Sequence, residues 1–259
     1  GIIFGALDDQ SIAWKTAEKA PEQGAAFHLT NAPAALKMGN RYVLAKKTKA
    51  QIIPADATSI EDLENLISKS MEILGGKIDF VVHSIGMSEN VRKGKSYTAH
   101  NYEFTTRGWK VSALSFHKVM HVLYHKKAMN SWGSIIALSY MAAQRVFPDY
   151  NDMADNKAYL ESIARSFGYF FGKDQKVRVN TISQSPTPTT AGTGVKGFDG
   201  FYAYADQMAP LGNSTASDCA DYPIAMFSDL TKKVTLQTLF HDCGFSNMGV
   251  SAAVMEHVE

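Results

Sequence analysis

The chain has 259 residues, of which 45% are hydrophobic and 20% are charged, and its formal net charge is +1. This composition is typical of a globular protein with a large buried core, and it excludes a mostly disordered chain. The balanced charge argues against a nucleic-acid-binding protein, because such domains usually carry a basic excess. With only two cysteines, neither a disulfide scaffold nor a cysteine zinc site is expected.

The hydropathy pattern also bears on location. No apolar run reaches the roughly 20 residues that a membrane-spanning helix needs, so no membrane partner is expected. The chain begins on a short apolar run, and we expect no cleavable leader. Because Cys219 and Cys243 do not suggest a disulfide framework, a reducing compartment is favoured. We therefore expect a cytoplasmic protein.

Short apolar runs alternate with segments of helical period along the whole chain. In the first half, the pattern predicts strands at 2–4, 27–30, 52–53 and 78–82 and helices at 11–23 and 60–74. In the second half, it predicts helices at 106–128, 152–171 and 217–227 and strands at 134–138, 177–182 and 236–240. Strands separated by helices pair in parallel, with helices on both faces. We predict one α/β domain over 1–259, a doubly wound, Rossmann-like parallel sheet of about seven strands.

Residues 183–200 form the longest stretch without periodicity, and they are rich in Pro, Thr and Gly. A long loop inside a compact domain is usually functional. This one follows the sixth predicted strand, at the carboxyl edge where open α/β sheets bind their ligands. We predict a functional lid here, with a surface insertion as the alternative.

The first turn is a candidate nucleotide site. The first strand ends at Gly5, and the next helix begins at Ser11 and Ile12, which directs a helix N-terminus at the carboxyl edge of the sheet. The turn lacks the G-x-G-x-x-G fingerprint, because Ala6 and Leu7 follow Gly5. An ordinary strand–helix turn with a serine cap is the alternative.

Two further segments could contact a cofactor. Asp56 follows the third strand, where it could accept a hydrogen bond from an adenine amino group or cap the next helix. The small residues of 83–86 end the fourth strand, where they could let the backbone approach a cofactor or simply form a tight turn.

Tyr150 and Lys157 are the strongest candidates for catalytic residues. They lie seven residues apart, which is two helical turns, so both side chains can point to one side. A phenol donor beside an ammonium suits an oxygen that gains negative charge. The alternative is that Tyr150 only packs between its neighbours and that Lys157 is exposed to solvent.

His117, His121 and His125 share one face of a predicted helix. No glutamate lies between them as in a zincin helix, and no cysteine or carboxylate lies nearby. We therefore predict no metal site and interpret the histidines as a polar or interface-facing stripe.

Several motifs together carry a family resemblance. They are Tyr140, the Y-x6-K pair Tyr150 and Lys157, Ser-Ile-Ala-Trp at 11–14, His-Ser-Ile-Gly at 83–86, Pro-Asp-Tyr-Asn at 148–151 and Gly-Phe-Ser at 244–246. With them the chain, from Gly1 to about Met248, resembles the bacterial enoyl-acyl-carrier-protein reductases of the FabI type. This family is a divergent branch of the short-chain dehydrogenase/reductases, most of which have Y-x3-K. Met153 stands here where that tyrosine would be.

The resemblance implies reduction of the trans-2 double bond of enoyl-acyl-carrier-protein thioesters in type II fatty acid biosynthesis, usually with NADH. It implies acyl-carrier protein as the partner, a homotetramer, catalytic roles for Tyr140, Tyr150 and Lys157, and substrate contacts from Ser88 and both tyrosines. The implied cofactor-binding residues are Gly5, Ser11, Ile12, Asp56, Ala57, Ile85, Lys157, Thr187, Pro188, Thr189, Thr190 and Ala191. The resemblance also implies a substrate-binding lid at about 187–209.

The sequence leaves the choice between NADH and NADPH open. The second strand ends Thr30-Asn31-Ala32, with neither an acid for a ribose hydroxyl nor an arginine for a 2′-phosphate. This agrees with NADH, while Lys37 and Arg41 leave NADPH possible.

The chain departs from the family pattern at Lys15, Pro21 and Cys243, which bear on stability or cofactor affinity. Two other functions are considered: a carbonyl-reducing short-chain dehydrogenase, against which Met153 counts, and a non-catalytic dinucleotide-binding protein.

Overall fold

A seven-stranded parallel sheet forms the centre of the protein. The computed structural model describes residues 1–36, 41–190, 192–195 and 197–256. The strand order is β3-β2-β1-β4-β5-β6-β7, and every neighbouring pair is parallel. The strands are β1 (Ile2–Phe4), β2 (His28–Thr30), β3 (Gln51–Ile52), β4 (Ile78–His83), β5 (Met129–Ser139), β6 (Arg178–Gln184) and β7 (Thr238–His241). The predicted doubly wound sheet is confirmed.

Helices connect the strands. They are α1 (Ile12–Lys19), α2 (Pro33–Leu36), α3 (Arg41–Thr48), α4 (Ile60–Leu74), α5 (Glu89–Arg92), α6 (Tyr102–Trp109), α7 (Ser115–His125), α8 (Asp152–Gln175), α9 (Phe198–Met208), α10 (Ala216–Phe227) and α11 (Ala252–Met255). A π-helical turn, Lys110–Leu114, joins α6 to α7, so these three segments replace the single helix predicted at 106–128. Among the described residues, no helix is both long and apolar enough to cross a membrane.

The helix ends follow local sequence signals. Ser59 caps α4 by accepting a hydrogen bond from the backbone N–H of Asp62, and Gly75 ends this helix with a φ of 73°. The first helix was predicted to reach Gln23, but it ends at Lys19 and continues as a 3₁₀ turn with Pro21 in its first turn. Proline lacks the N–H that a continuing α-helix needs, which explains the earlier end.

The core lies on both faces of the sheet. Successive side chains of a strand point to opposite faces. Accordingly, Ile2 packs into the cluster that contains Leu63 of α4 and Phe116 of α7, whereas Ile3 packs into the cluster that contains Ala13 of α1 and Leu44 of α3. Burial of both faces is the normal condition of a parallel sheet, and it leaves the carboxyl edge as the open surface.

A close backbone contact joins the ends of β1 and β4. Gly5 follows β1 with a φ of 87°, and a Cβ built on it would lie 1.9 Å from the carbonyl oxygen of Ser84. No side chain fits at this position, so glycine is required by conformation and by space. The first turn therefore lies directly against the segment that follows β4.

We expect Gly5→Ala to lower the free energy of unfolding by about 2–4 kcal/mol, because the new Cβ adds a backbone clash to an unfavourable φ. Gly24→Ala is the matched control: its φ is 74° but no atom lies within 4 Å of the new Cβ. This control should cost about 1 kcal/mol. Urea unfolding measures both values, and equal losses would contradict the close contact.

Candidate active site

A cavity of about 460 Å³ opens at the carboxyl ends of the central strands. Its walls come from the first turn, the segment after β4, the end of β5, the start of α8 and the loop after β6. The residues predicted from sequence that line it are Gly5, Ser11, Ile12, Ile85, Ser88, Tyr140, Tyr150, Lys157, Thr187, Thr189 and Thr190. The fold therefore brings the predicted catalytic residues and most of the predicted cofactor residues into one cavity.

Four predicted cofactor residues are not among those lining residues. The carboxylate of Asp56 accepts hydrogen bonds of 2.8 Å from the backbone N–H and from the hydroxyl of Thr58. Ala57 is buried and Pro188 is exposed. Ala191 lies outside the described residues. Contacts of these four with a cofactor stay predictions.

Lys157 is buried at the end of β5. Its Nζ donates a 2.7 Å hydrogen bond to the carbonyl oxygen of Leu138, and the residue is 8% exposed. Burial lowers the pKa of this ammonium to about 8, while the negative charge of Glu161 acts in the opposite direction. A Cβ at Gly86 would lie 3.9 Å from the Nζ, so the ammonium also faces the segment after β4.

Glu161 supports this arrangement from the next turn of α8. Its two carboxylate oxygens accept hydrogen bonds from the hydroxyl of Ser139 at 2.6 Å and from the amide of Gln144 at 3.0 Å. The residue is buried, and its charge acts on Lys157. Glu161 is not among the residues predicted from sequence, although its position four residues after Lys157 is a signal for a same-face ion pair.

Two tyrosines line the same cavity as Lys157. The ring centroids of Tyr140 and Tyr150 lie 5.0 Å apart, and burial raises the pKa of both hydroxyls above their ordinary value. Both phenols are therefore neutral hydrogen-bond donors. The hydroxyl of Tyr140 is buried without a hydrogen-bond partner among the described residues. Since such a group costs about 1–3 kcal/mol, it is poised for a partner that a ligand supplies.

Tyr150 owes its position to the turn that starts α8. A 3₁₀ turn, Pro148–Tyr150, leads into Asn151, which has a φ of 49° and caps the helix. The buried carboxylate of Asp152 then accepts hydrogen bonds from the hydroxyl of Ser88 at 2.5 Å and from the amide of Asn90 at 2.8 Å. Because the Ser88 hydroxyl is engaged, its backbone is the part left for a ligand.

The first turn is bonded to the loop after β6. Ser11 caps α1 through the N–H of Trp14, and its hydroxyl donates to the carbonyl oxygen of Asp8. The carboxylate of Asp8 in turn accepts a 2.6 Å hydrogen bond from the hydroxyl of Thr190. Asp8 and Asn31 also line the cavity, and sequence reasoning had assigned neither a ligand contact.

Lys37 and Arg41 are the two basic residues that leave NADPH as an alternative to NADH. Lys37 lies outside the described residues, and so does the side chain of Arg41.

Aromatic side chains close the far wall. Phe147 packs against Tyr140 with ring centroids 5.6 Å apart and against Phe201 of α9 at 5.3 Å. Helix α9 falls within the predicted lid, and its first turns thus contact the tyrosine wall. The wall is apolar, which suits a hydrocarbon chain.

Two of the residues that depart from the family pattern, Lys15 and Cys243, make contacts with nearby side chains. The ammonium of Lys15 lies 3.1 Å from the carboxylate of Glu18 on the same helix. Cys243 adopts a φ of 59°, which is unfavourable for a residue with a side chain, and its Sγ lies 3.0 Å from the hydroxyl of Ser214. Neither residue lines the cavity.

The histidine stripe lies away from the cavity. His121 and His125 are exposed on α7, and the ring of His117 packs edge-on against Phe167 at 4.8 Å. In the part of the chain that the structure describes, no group of three or more His, Cys, Asp or Glu residues could hold a metal ion.

A profile described as enoyl-(acyl carrier protein) reductase matches residues 5–246. The chain belongs to this family. The matched residues extend from the first turn beyond the aromatic wall, so they include the whole cavity. The resemblance expected from the motifs is thereby confirmed.

Solved structures of family members have the same fold over nearly their full length, and a curated relative matches over a similar extent. FabI from Alistipes finegoldii, described as a complex with NADH, is 57% identical, has a TM-score of 0.97 and is matched over 100% of this chain and 92% of its own. The Aquifex aeolicus reductase, described as using NADH, is 30% identical with a TM-score of 0.87, with 96% of each chain covered. A curated Rhizobium meliloti relative, enoyl-[acyl-carrier-protein] reductase [NADH] 1, is 30% identical over 97% of this chain and 92% of its own.

The charge of Lys157 should depend on Glu161. We expect Glu161→Gln to lower the pKa of Lys157 further below its ordinary value, because the opposing negative charge is removed while burial stays. An NMR titration of ¹³C-labelled lysine measures this pKa. Asp174→Asn, at the far end of α8, is the control and should leave it unchanged. A rise, or no change, in Glu161→Gln would show that the carboxylate does not act on the ammonium.

Proposed function

We propose that the protein reduces the trans-2 double bond of enoyl thioesters borne by acyl-carrier protein, with NADH as the reductant, in type II fatty acid biosynthesis. The observation that carries the proposal is the convergence of Tyr150 and Lys157 on one cavity at the carboxyl edge of the sheet. The family and the NADH named for its relatives support the same reaction.

The cavity has the features that a dinucleotide requires. The N-terminus of α1 and the close backbone at Gly5 suit a pyrophosphate. A Cβ at Gly86 would lie 2.6 Å from the Cε of Met153, so a side chain there would have to displace this methyl group at the cavity wall. In this proposal, Ser11 and Ile12 hold the pyrophosphate, Ile85 lies beside the adenosine ribose and Lys157 binds the nicotinamide ribose. Bound NADH supplies the hydride.

The remaining proposed cofactor contacts come from two segments. Residues 187–191 of the loop after β6 would run past the carboxamide and phosphates. Asp56 and Ala57 would flank the adenine, with the carboxylate of Asp56 already oriented by Thr58.

The protein stabilises the charge that develops on the substrate. When the β-carbon accepts a hydride, negative charge collects on the thioester carbonyl oxygen. The neutral phenol of Tyr150 donates a hydrogen bond to this oxygen, and the ammonium of Lys157, charged below its pKa of about 8, adds a positive field. One preorganised donor of this kind contributes about 3–4 kcal/mol to lowering the barrier. Protonation at the α-carbon completes the reduction.

The acyl chain occupies the apolar part of the cavity in this account. Tyr140 lines that part together with Phe147 and Phe201, and the backbone of Ser88 contacts the thioester end. Residues 187–209 act as a lid that excludes water from the reacting atoms. We propose that residues 1–259 form one reductase domain with this lid.

A carbonyl-reducing dehydrogenase is disfavoured by Met153. This apolar side chain lines the cavity at the Y-x3-K position, where such enzymes place their tyrosine hydroxyl. We expect oxidation of NADH with crotonyl thioester, slower oxidation of NADPH, and no oxidation with acetoacetyl thioester. The opposite substrate preference would favour the dehydrogenase, and no oxidation with any enoyl thioester would favour a non-catalytic dinucleotide-binding protein.

We also propose a homotetramer in the cytoplasm. Trp109 and Tyr159 are 48% and 42% exposed beside a groove between α6 and α8, which supports an apolar contact between copies. The exposed histidines of α7 could border the same assembly. The free thiols of Cys219 and Cys243 support a reducing compartment.

We expect Tyr150→Phe to lower kcat for crotonyl thioester by about 10²–10³-fold, because it removes one donor to the developing oxyanion. The Kd for NADH, measured by fluorescence titration, should stay within about threefold, since this phenol has no cofactor contact in the proposal. Tyr169→Phe, at an exposed tyrosine of α8, is the control. Wild-type kcat in Tyr150→Phe would refute the assigned role.

A further inference from the structure

The mouth of the cavity has one basic side. Arg92 lines the cavity at the end of α5, and Lys93 and Lys95 follow it. All three residues are exposed. We call these three residues the basic rim.

The positive charges of the basic rim are not neutralised. Within the described part of the chain, the side chains of Arg92 and Lys95 have no hydrogen bond or ion pair, and the ammonium of Lys93 lies 4.4 Å from the ring centroid of Phe104. Glu89, the acid of this segment, is already paired with Arg107 at 2.5 Å. The rim therefore presents three available cations to solvent.

The lid side of the mouth is acidic instead. Helix α9 contains Asp199 and Asp206 but no Lys or Arg. Asp149 is exposed, lines the cavity and approaches the start of α9 near Gly197. Lys196 precedes the helix but lies outside the described residues. An acidic partner is repelled by this side and attracted to the basic rim.

We propose that the basic rim docks the acyl-carrier protein through that protein's acidic surface and the phosphate of its phosphopantetheine arm. The thioester then enters beside α5, over the backbone of Ser88, and not across the acidic helix α9. The inference rests on the proposed function, because the substrate is carried by an acidic protein. Exposed charge pairs act mainly on encounter and orientation, so the effect should weaken with salt.

Two double variants separate docking from chemistry. Lys93→Glu/Lys95→Glu reverses two charges of the basic rim without changing a residue that lines the cavity. Lys232→Glu/Lys233→Glu is the matched control: it makes the same charge change and removes a similar contact, since the Lys233 ammonium lies 4.6 Å from the ring centroid of Trp132. The control site precedes β7, at the opposite edge of the sheet from the cavity.

The variants are compared on crotonyl-acyl-carrier protein, crotonyl-CoA and crotonyl-pantetheine, which has neither a protein nor a phosphate. We expect the rim variant to raise KM for the protein-borne substrate tenfold or more at low salt, with a smaller rise for crotonyl-CoA. KM for crotonyl-pantetheine should stay within twofold in both variants, and the control should match the wild type on all three substrates.

Two results would overturn the docking inference while the proposed function stands. They are an unchanged KM for crotonyl-acyl-carrier protein in the rim variant, and an equal rise for crotonyl-CoA, which would indicate a phosphate contact alone. Binding of holo-acyl-carrier protein, measured by fluorescence anisotropy, tests docking without turnover: the Kd should rise tenfold in the rim variant only. If the wild type reduces none of the thioesters, the proposed function fails, and equal Kd values in all three proteins would overturn docking as well.

Discussion

The burial of one ammonium is the constraint around which the cavity is built. Moving a lone charge out of water costs several kcal/mol unless the protein supplies compensating groups. Here the Nζ of Lys157 has the carbonyl oxygen of Leu138 at 2.7 Å and the negative charge of Glu161 one turn away. This compensation requires α8 to pack against the end of β5, and the packing in turn places Tyr150, at the turn before α8, beside the same cavity.

Local signals were sufficient for much of the fold. The apolar spacing predicted α4 with both ends, since Ser59 and Gly75 are capping residues whose effect is local. Parallel pairing followed from the alternation of strands and helices. The π-helical turn between α6 and α7 could not be predicted, because the helical period continues through it and the extra residue is absorbed by packing against α8.

The cavity residues that could be predicted are those that lie close together in the sequence. Tyr150 and Lys157 were identifiable from their spacing of seven residues, although the expected arrangement on one helix was wrong: Tyr150 lies in the 3₁₀ turn before α8, and Asn151 with a φ of 49° separates it from the helix. The bond between Asp8 and Thr190 was not, since it joins residues 182 positions apart. Asp56 shows a second limit: a carboxylate after a strand suits a ligand or a turn equally well, and only the contact with Thr58 shows what it binds within the chain.

A crystal structure with NADH and a non-reactive enoyl thioester analogue tests the central claim most directly. We expect the Nζ of Lys157 within hydrogen-bonding distance of the nicotinamide ribose, with the hydroxyl of Tyr150 donating to the thioester carbonyl oxygen. A dinucleotide bound outside this cavity, or a carbonyl oxygen turned away from both groups, would contradict the account.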